Sequence, residues 1–245
     1  MHYSIYFFFI LPFAISCRNY NDLSAQDIVN KTIEISGGHK YLNTEIQFDF
    51  RNKRYQSFRY EGQFQYERHF KDSLGVIRDI LSNDGFKRFI NDEVAKIPDS
   101  MAIKYASSVN SVHYFALLPF GLNDEAVNKT QLDEVQIKNN KYYKIKVWFN
   151  EKGGGEDFED VFIYWINKQT YKVDYLAYSY MEENGIGMRF REAYNERYNN
   201  GLRFVDYHNY MTKDPNRTLF NLDAAFQEDE LILISKIELQ NILVN

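Results

Sequence analysis

The spacing of apolar residues changes from helical to alternating near the start of the chain. Ile28, Thr32 and Ile35, with Val29 and Ile33 beside them, recur at three- and four-residue steps, and Ser24 with Asp27 three positions on forms an N-cap pattern. Gly37-Gly38 follows the last apolar step, so the spacing predicts an amphipathic helix from about Ser24 to Ser36. From Ile46 the period becomes two. Ile46, Phe48, Phe50, Phe58, Tyr60, Phe64, Tyr66 and Phe70 all occupy even positions, with Arg51, Lys53, Arg59, Glu61, Gln63, Gln65 and Glu67 between them. Such alternation predicts a hairpin with its rings on one face and its charges on the other. Val76 to Leu81 and Phe86 to Ile90 flank Ser82-Asn83-Asp84-Gly85 and predict a second hairpin with Asp-Gly turn chemistry.

A second helical segment opens at Pro98-Asp99. Met101, Tyr105, Val109, Val112 and Ala116 mark its stripe, and Pro119-Phe120-Gly121 ends it. The final turns, Val112 to Leu118, are apolar almost all round, which predicts that they sit inside the concave face of a curved sheet. A short helix is expected at Asn123 to Asn128. Beyond it strands are expected near Val135 to Ile137, Tyr142 to Phe149, Met188 to Tyr194, Leu202 to Tyr210 and Leu231 to Leu239. The centre of this meander is Val161 to Tyr180, two strands joined by a polar turn at Asn167 to Thr170; a further turn falls at Asn184-Gly185. The expected fold is mainly β within the α+β class: a strongly curved antiparallel sheet or unclosed β-barrel with helices packed on its concave side.

Composition narrows the function classes. Across 245 residues, 29 Lys and Arg stand against 34 Asp and Glu, a formal net charge of -5, so no basic field exists to attract nucleic acid. With 20 Phe, 20 Tyr and 2 Trp the chain holds more rings than a small core needs. They either line a cavity or contact surface, or decorate a Tyr-rich sheet exterior. The single cysteine, Cys17, excludes an internal disulfide. It follows an apolar run from Ile5 to Ser16 that has the length of a signal-peptide core and is too short to span a bilayer. The stretch resembles a bacterial lipoprotein signal, with Cys17 as the lipidated first residue, although Met1-His2-Tyr3-Ser4 carries no Lys or Arg. This implies a signal peptide over 1–16, a tether over 17–23 and one β domain over 24–245. It also implies anchoring at the cell envelope, on the outer membrane and facing the periplasm, because Arg18 to Asp22 lacks the acidic cluster of surface-exported lipoproteins.

Two further stretches carry a family resemblance. Tyr164-Trp165-Ile166-Asn167-Lys168-Gln169-Thr170-Tyr171 is similar to the strand and Ile-Asp-Lys-x-Thr-like turn of the Lol lipoprotein carriers, which have unclosed β-barrels; Asn167 stands where those proteins usually have Asp. Tyr114 to Asn123 and Gly153 to Phe162 look like an uncharacterised family of bacteroidete-type lipoproteins, a domain of unknown function. The first resemblance implies a carrier-like fold; the second implies no activity.

Candidate chemistry is sparse. Gly153-Gly154-Gly155 precedes Glu156, Asp157, Glu159 and Asp160, which could converge on a hard cation such as Ca²⁺, act as paired carboxylates on a glycoside, or remain a solvated loop. The five histidines have no zinc-ligand spacing; His113 alone, on the apolar helix, is a candidate to hydrogen-bond a ligand. No nucleophile elbow or nucleotide fingerprint is present. The leading expectation is a non-enzymatic, envelope-anchored, monomeric lipoprotein without a cofactor. It would bind a lipid or acyl chain in a cavity lined by Phe48, Phe50, Phe58, Tyr60, Phe64, Tyr66, Val112, His113, Phe115, Ala116 and Trp165. The alternatives are an enzyme or cation-dependent site at the acidic loop, and a carbohydrate- or protein-binding surface.

Overall fold

The computed structural model describes residues 23–155, 158–182 and 185–245. Cys17, the expected leader, and Glu156 and Asp157 of the acidic loop therefore lie outside the described residues. Helix α1 spans Ala25–Ser36. Its capping box forms as the sequence requires: the Ser24 hydroxyl accepts from the Asp27 N–H at 3.1 Å and the Asp27 carboxylate accepts from the Ser24 N–H at 3.1 Å. Six strands follow, β1 (Thr44–Phe50), β2 (Lys53–Tyr60), β3 (Gln63–Asp72), β4 (Gly75–Ser82), β5 (Gly85–Ile90) and the short β6 (Glu93–Val94). Helix α2 (Asp99–Ala116) starts after Pro98, and a 3₁₀ turn at Phe120–Asn123 leads into β7 (Val127–Ile137). Then come β8 (Asn140–Phe149), β9 (Val161–Asn167), β10 (Val173–Glu182), β11 (Gly185–Asn199) and β12 (Leu202–Met211). Helix α3 (Leu222–Gln227), β13 (Ile232–Ile237) and β14 (Leu239–Val244) complete the chain.

All pairings are antiparallel, and the strands form two seven-stranded sheets, ordered β14-β1-β2-β3-β4-β5-β6 and β13-β12-β11-β10-β9-β8-β7. Only Glu238 separates β13 from β14, so one C-terminal segment edges both sheets and joins them into a curved array. Among the described residues no ladder joins β6 to β7, and the array stays unclosed. Helices α1 and α2 pack against its concave side. Ile28 and Val29 of α1 share a core with Tyr143, Tyr164, Ile166 and Tyr207 of the second sheet, while Val109 and Ala116 of α2 join Phe48, Tyr55 and Tyr66 of the first.

The register corrects two of the expected ring positions. Phe50 pairs with Lys53 across a two-residue turn at Arg51 and Asn52, and paired residues share a face. A two-residue connection therefore moves the inward phase from even positions on β1 to odd positions on β2. Tyr55 and Ser57 point inward and are buried, whereas Phe58 and Tyr60 lie on the outer face, with Tyr60 64% exposed. The next turn, where Glu61 and Gly62 both take positive φ as a type I′ turn demands, restores the even phase, and Ser57 pairs with Tyr66.

Trp165 is a second correction. On β9, Phe162, Tyr164 and Ile166 face the concave side, and Ile163 and Trp165 face the opposite one, where α3 covers them. Leu219, Leu222 and Phe226 pack there on Trp165 and Phe190. Lys144 Nζ, reaching Asp223 at 3.1 Å and the Phe220 carbonyl at 2.5 Å, ties α3 to the sheet. This sheet is buried on both faces, so its strands read as continuous apolar runs in which the inward phase is invisible. The short helix expected at Asn123 to Asn128 is also absent, because Val127 already pairs with Phe149 and the ladder overrides a weak helical preference.

Candidate functional site: an apolar cavity beside α2

The last turns of α2 are apolar all round because two sheets meet there. Val112, His113 and Ala116 face the first sheet; Tyr114 and Phe115 face the second. The Tyr114 and Tyr164 hydroxyls hydrogen-bond at 2.7 Å, and Phe115 packs 5.3 Å from the Tyr178 ring centre. Burial pushes both the Tyr114 and Tyr164 phenols up, so they act as neutral donor and acceptor. Further back, α2 is held by charge. Asp79, fully buried, receives Arg68 and Arg88 at 2.6 Å each; Arg68 also donates to Ser108 Oγ at 2.7 Å, and the Arg88 guanidinium lies 3.5 Å over the Tyr105 ring. The face of α2 that carries Ile103, Ala106, Ser107, Asn110 and Ser111 borders a gap between the helix and the second sheet.

A cavity of about 800 Å³ occupies the gap, within the range of small-molecule sites. Ile103, Ser107 and Phe115 of α2 form one wall; Phe162, Tyr178 and Tyr207 of the second sheet form the other. Phe50 closes it from the first sheet, and Gly154, Gly155 and Asp160 of the β8–β9 connection lie at its boundary.

Three arginines line this space, Arg51, Arg189 and Arg191, and of these Arg191 alone is buried. Arg191 is 6% exposed, yet its guanidinium lies 3.8 Å over the Phe115 ring and its Nη2 donates to the Tyr178 hydroxyl at 2.9 Å. Its Nε and Nη1 have no hydrogen-bond partner. Burial pulls its pKa down, but a guanidinium stays protonated. Asn209, directly across the strand pair from Arg191, leaves its Oδ1 unpartnered while Nδ2 donates to Ser235 Oγ at 3.1 Å.

Of the ring and helix residues expected at a cavity, Phe50, Val112, Phe115 and Ala116 line this one. Phe48 and Tyr66 are buried beside it in the first sheet's core, and Phe64 packs on the edge of that core. His113 turns away from the cavity. Its Nε2 donates to the Glu67 carbonyl at 3.2 Å and its ring stacks on Tyr66 at 4.3 Å, between Phe48 and Tyr55. Burial pushes its pKa down to about 3, so it is a neutral core residue rather than a ligand donor. Of the acidic loop, Glu159 is exposed and Asp160 lines the cavity; among the described residues no three His, Cys, Asp or Glu side chains group as a metal site. Sequence reasoning missed Arg191, Tyr178, Tyr207 and Asn209, because both faces of their strands carry rings and charges.

The fold and the cavity define the class: an unclosed antiparallel β array whose concave side is plugged by helices around an apolar space. The chain belongs to the DUF6503 family, a family of unknown function, whose model matches residues 3–239. No curated protein matches it. Among solved structures it is similar to a LolA superfamily protein from Nitrosomonas europaea, at 11% identity and a TM-score of 0.47 over 91% of this chain and 92% of that one. It is also similar to a DUF1329 family protein from Desulfovibrio piger, at 9% identity and a TM-score of 0.42 over 89% and 92% of the two chains.

Proposed function

We propose that this protein is a non-enzymatic, envelope-anchored lipoprotein that holds a hydrophobic ligand, a lipid or acyl chain, in the cavity beside α2. The observation that carries the reading is the cavity of about 800 Å³ bounded by aromatic walls, since a concave, mostly apolar pocket of this size with a few polar groups is what small hydrophobic ligands occupy. The anchor rests on the apolar run before Cys17 and on the improbability of a lone cysteine falling by chance at a cleavage boundary. Acylation at Cys17 would hold the chain to the outer membrane with its ligand site facing the periplasm.

Fluorescent fatty-acid or phospholipid probes test the ligand. They should bind with micromolar affinity, about 8 kcal/mol. Ala116→Trp, placed at the cavity wall, should weaken them without unfolding the protein. Failure of every probe to bind a folded sample overturns the reading. Cys17→Ser should move the protein into the soluble fraction, and its retention with membranes would overturn the anchor.

A further inference from the structure

We infer that the ligand carries an acidic headgroup and that Arg191 receives it, an inference that rests on the cavity being a ligand site. Five cationic side chains are buried among the described residues, Arg68, Arg88, Lys144, Arg191 and Arg203. Four have a carboxylate: Asp79 serves Arg68 and Arg88, Asp223 serves Lys144, and Glu196 serves Arg203 at 2.7 Å. Arg191 has none. Its polar contact is with the neutral Tyr178 hydroxyl, and two of its nitrogens have no partner at all.

A buried charge without a counter-charge is costly, and its removal from water is offset only by a well-placed opposite charge. Rings supply part of that compensation, with Phe115 at 3.8 Å and Tyr178 at 5.0 Å from the guanidinium. They do not satisfy the free N–H groups. Those groups belong to a residue of the cavity wall, and the planar guanidinium fits a carboxylate or phosphate oxygen pair. Tyr178 accepts from Arg191, which leaves its own hydroxyl proton for the same anion. Asn209 adds a third donor if its amide turns over, since Oδ1 would then accept from Ser235 and Nδ2 would face the site. Arg51, Asp160 and Arg189 also line the cavity; Arg51 is exposed, so its charge is solvated, and Asp160 and Arg189 already have partners. The occupant is therefore an amphiphile, with its chain against Phe162 and Phe115 and its anionic head on Arg191.

The test is displacement of a bound fluorescent probe by palmitate, hexadecyl phosphate and methyl palmitate. Wild-type protein should prefer at least one of the two anions over the ester by tenfold or more, and which one identifies the head as carboxylate or phosphate. Arg191→Gln should abolish that preference by weakening the anions tenfold or more relative to the ester; Arg191→Lys, which keeps the charge and loses the fork, should retain part of it. Equal displacement by all three, or an anion preference that survives Arg191→Gln, overturns the inference while the cavity reading stands. No displacement by any of them overturns both. Should Arg191→Gln fail to fold, the wild-type ratio between anion and ester decides the question.

Discussion

The guanidinium of Arg191, on β11, lies 3.8 Å above the ring of Phe115, on α2. This contact joins the polar spot of the cavity wall to the helix that forms the opposite wall, so the proposed ligand site and helix docking share a residue. Phe115→Leu keeps an apolar surface but removes the ring face and its packing on Tyr178. The expected loss is about 1–2 kcal/mol in urea unfolding, from the cation–π attraction and the ring contact together. An unchanged midpoint would mean that the stacking contributes nothing.

Asp79 should be among the least replaceable residues. It is fully buried and takes both Arg68 and Arg88 at 2.6 Å. Asp79→Asn removes one negative charge and leaves two guanidinium groups facing each other in a dry site, at a cost of about 3–5 kcal/mol. The same variant should loosen α2, because Arg68 also reaches Ser108. Amide exchange along Ser107 to Phe115 would report that loosening, and protection equal to wild type would contradict it.

His113 gives the fold a defined acid sensitivity. Its pKa in the folded state is about 3 against an ordinary 6.5, because burial disfavours the imidazolium. Between these values the unfolded chain binds the proton more readily, so His113 costs nothing above pH 6.5 and subtracts stability as pH falls towards 3. One proton contributes a slope of up to about 1.4 kcal/mol per pH unit. In His113→Phe the decline in unfolding free energy from pH 6 to pH 4 should be shallower by up to that amount. Parallel curves would contradict the assignment.

Much of this architecture is legible in the sequence, and the exceptions have physical causes. The capping box at Ser24 and Asp27, the Pro98 start of α2 and the alternation on β1 are local, and each appears where its residues require it. The outward turn of Phe58 and Tyr60 is a matter of parity, set by a two-residue connection that apolar spacing does not reveal. Trp165 was illegible for another reason, since β9 is buried at nearly every position and both faces are core. Six-residue α3 is too short to show a period. Arg191 was hidden because what distinguishes it is a missing counter-charge, and Glu192, next to it in sequence, points to the other face, towards His208 and Tyr210.

Native mass spectrometry of the protein, gently extracted in mild detergent from the cells that make it, tests the central claim most directly. The account predicts a folded protein carrying one acyl-chain lipid in addition to any covalent acylation at Cys17. That adduct should be lost from Ala116→Trp, whose new side chain enters the cavity. A wild-type protein that arrives without an adduct, or an adduct retained equally in Ala116→Trp, would contradict it.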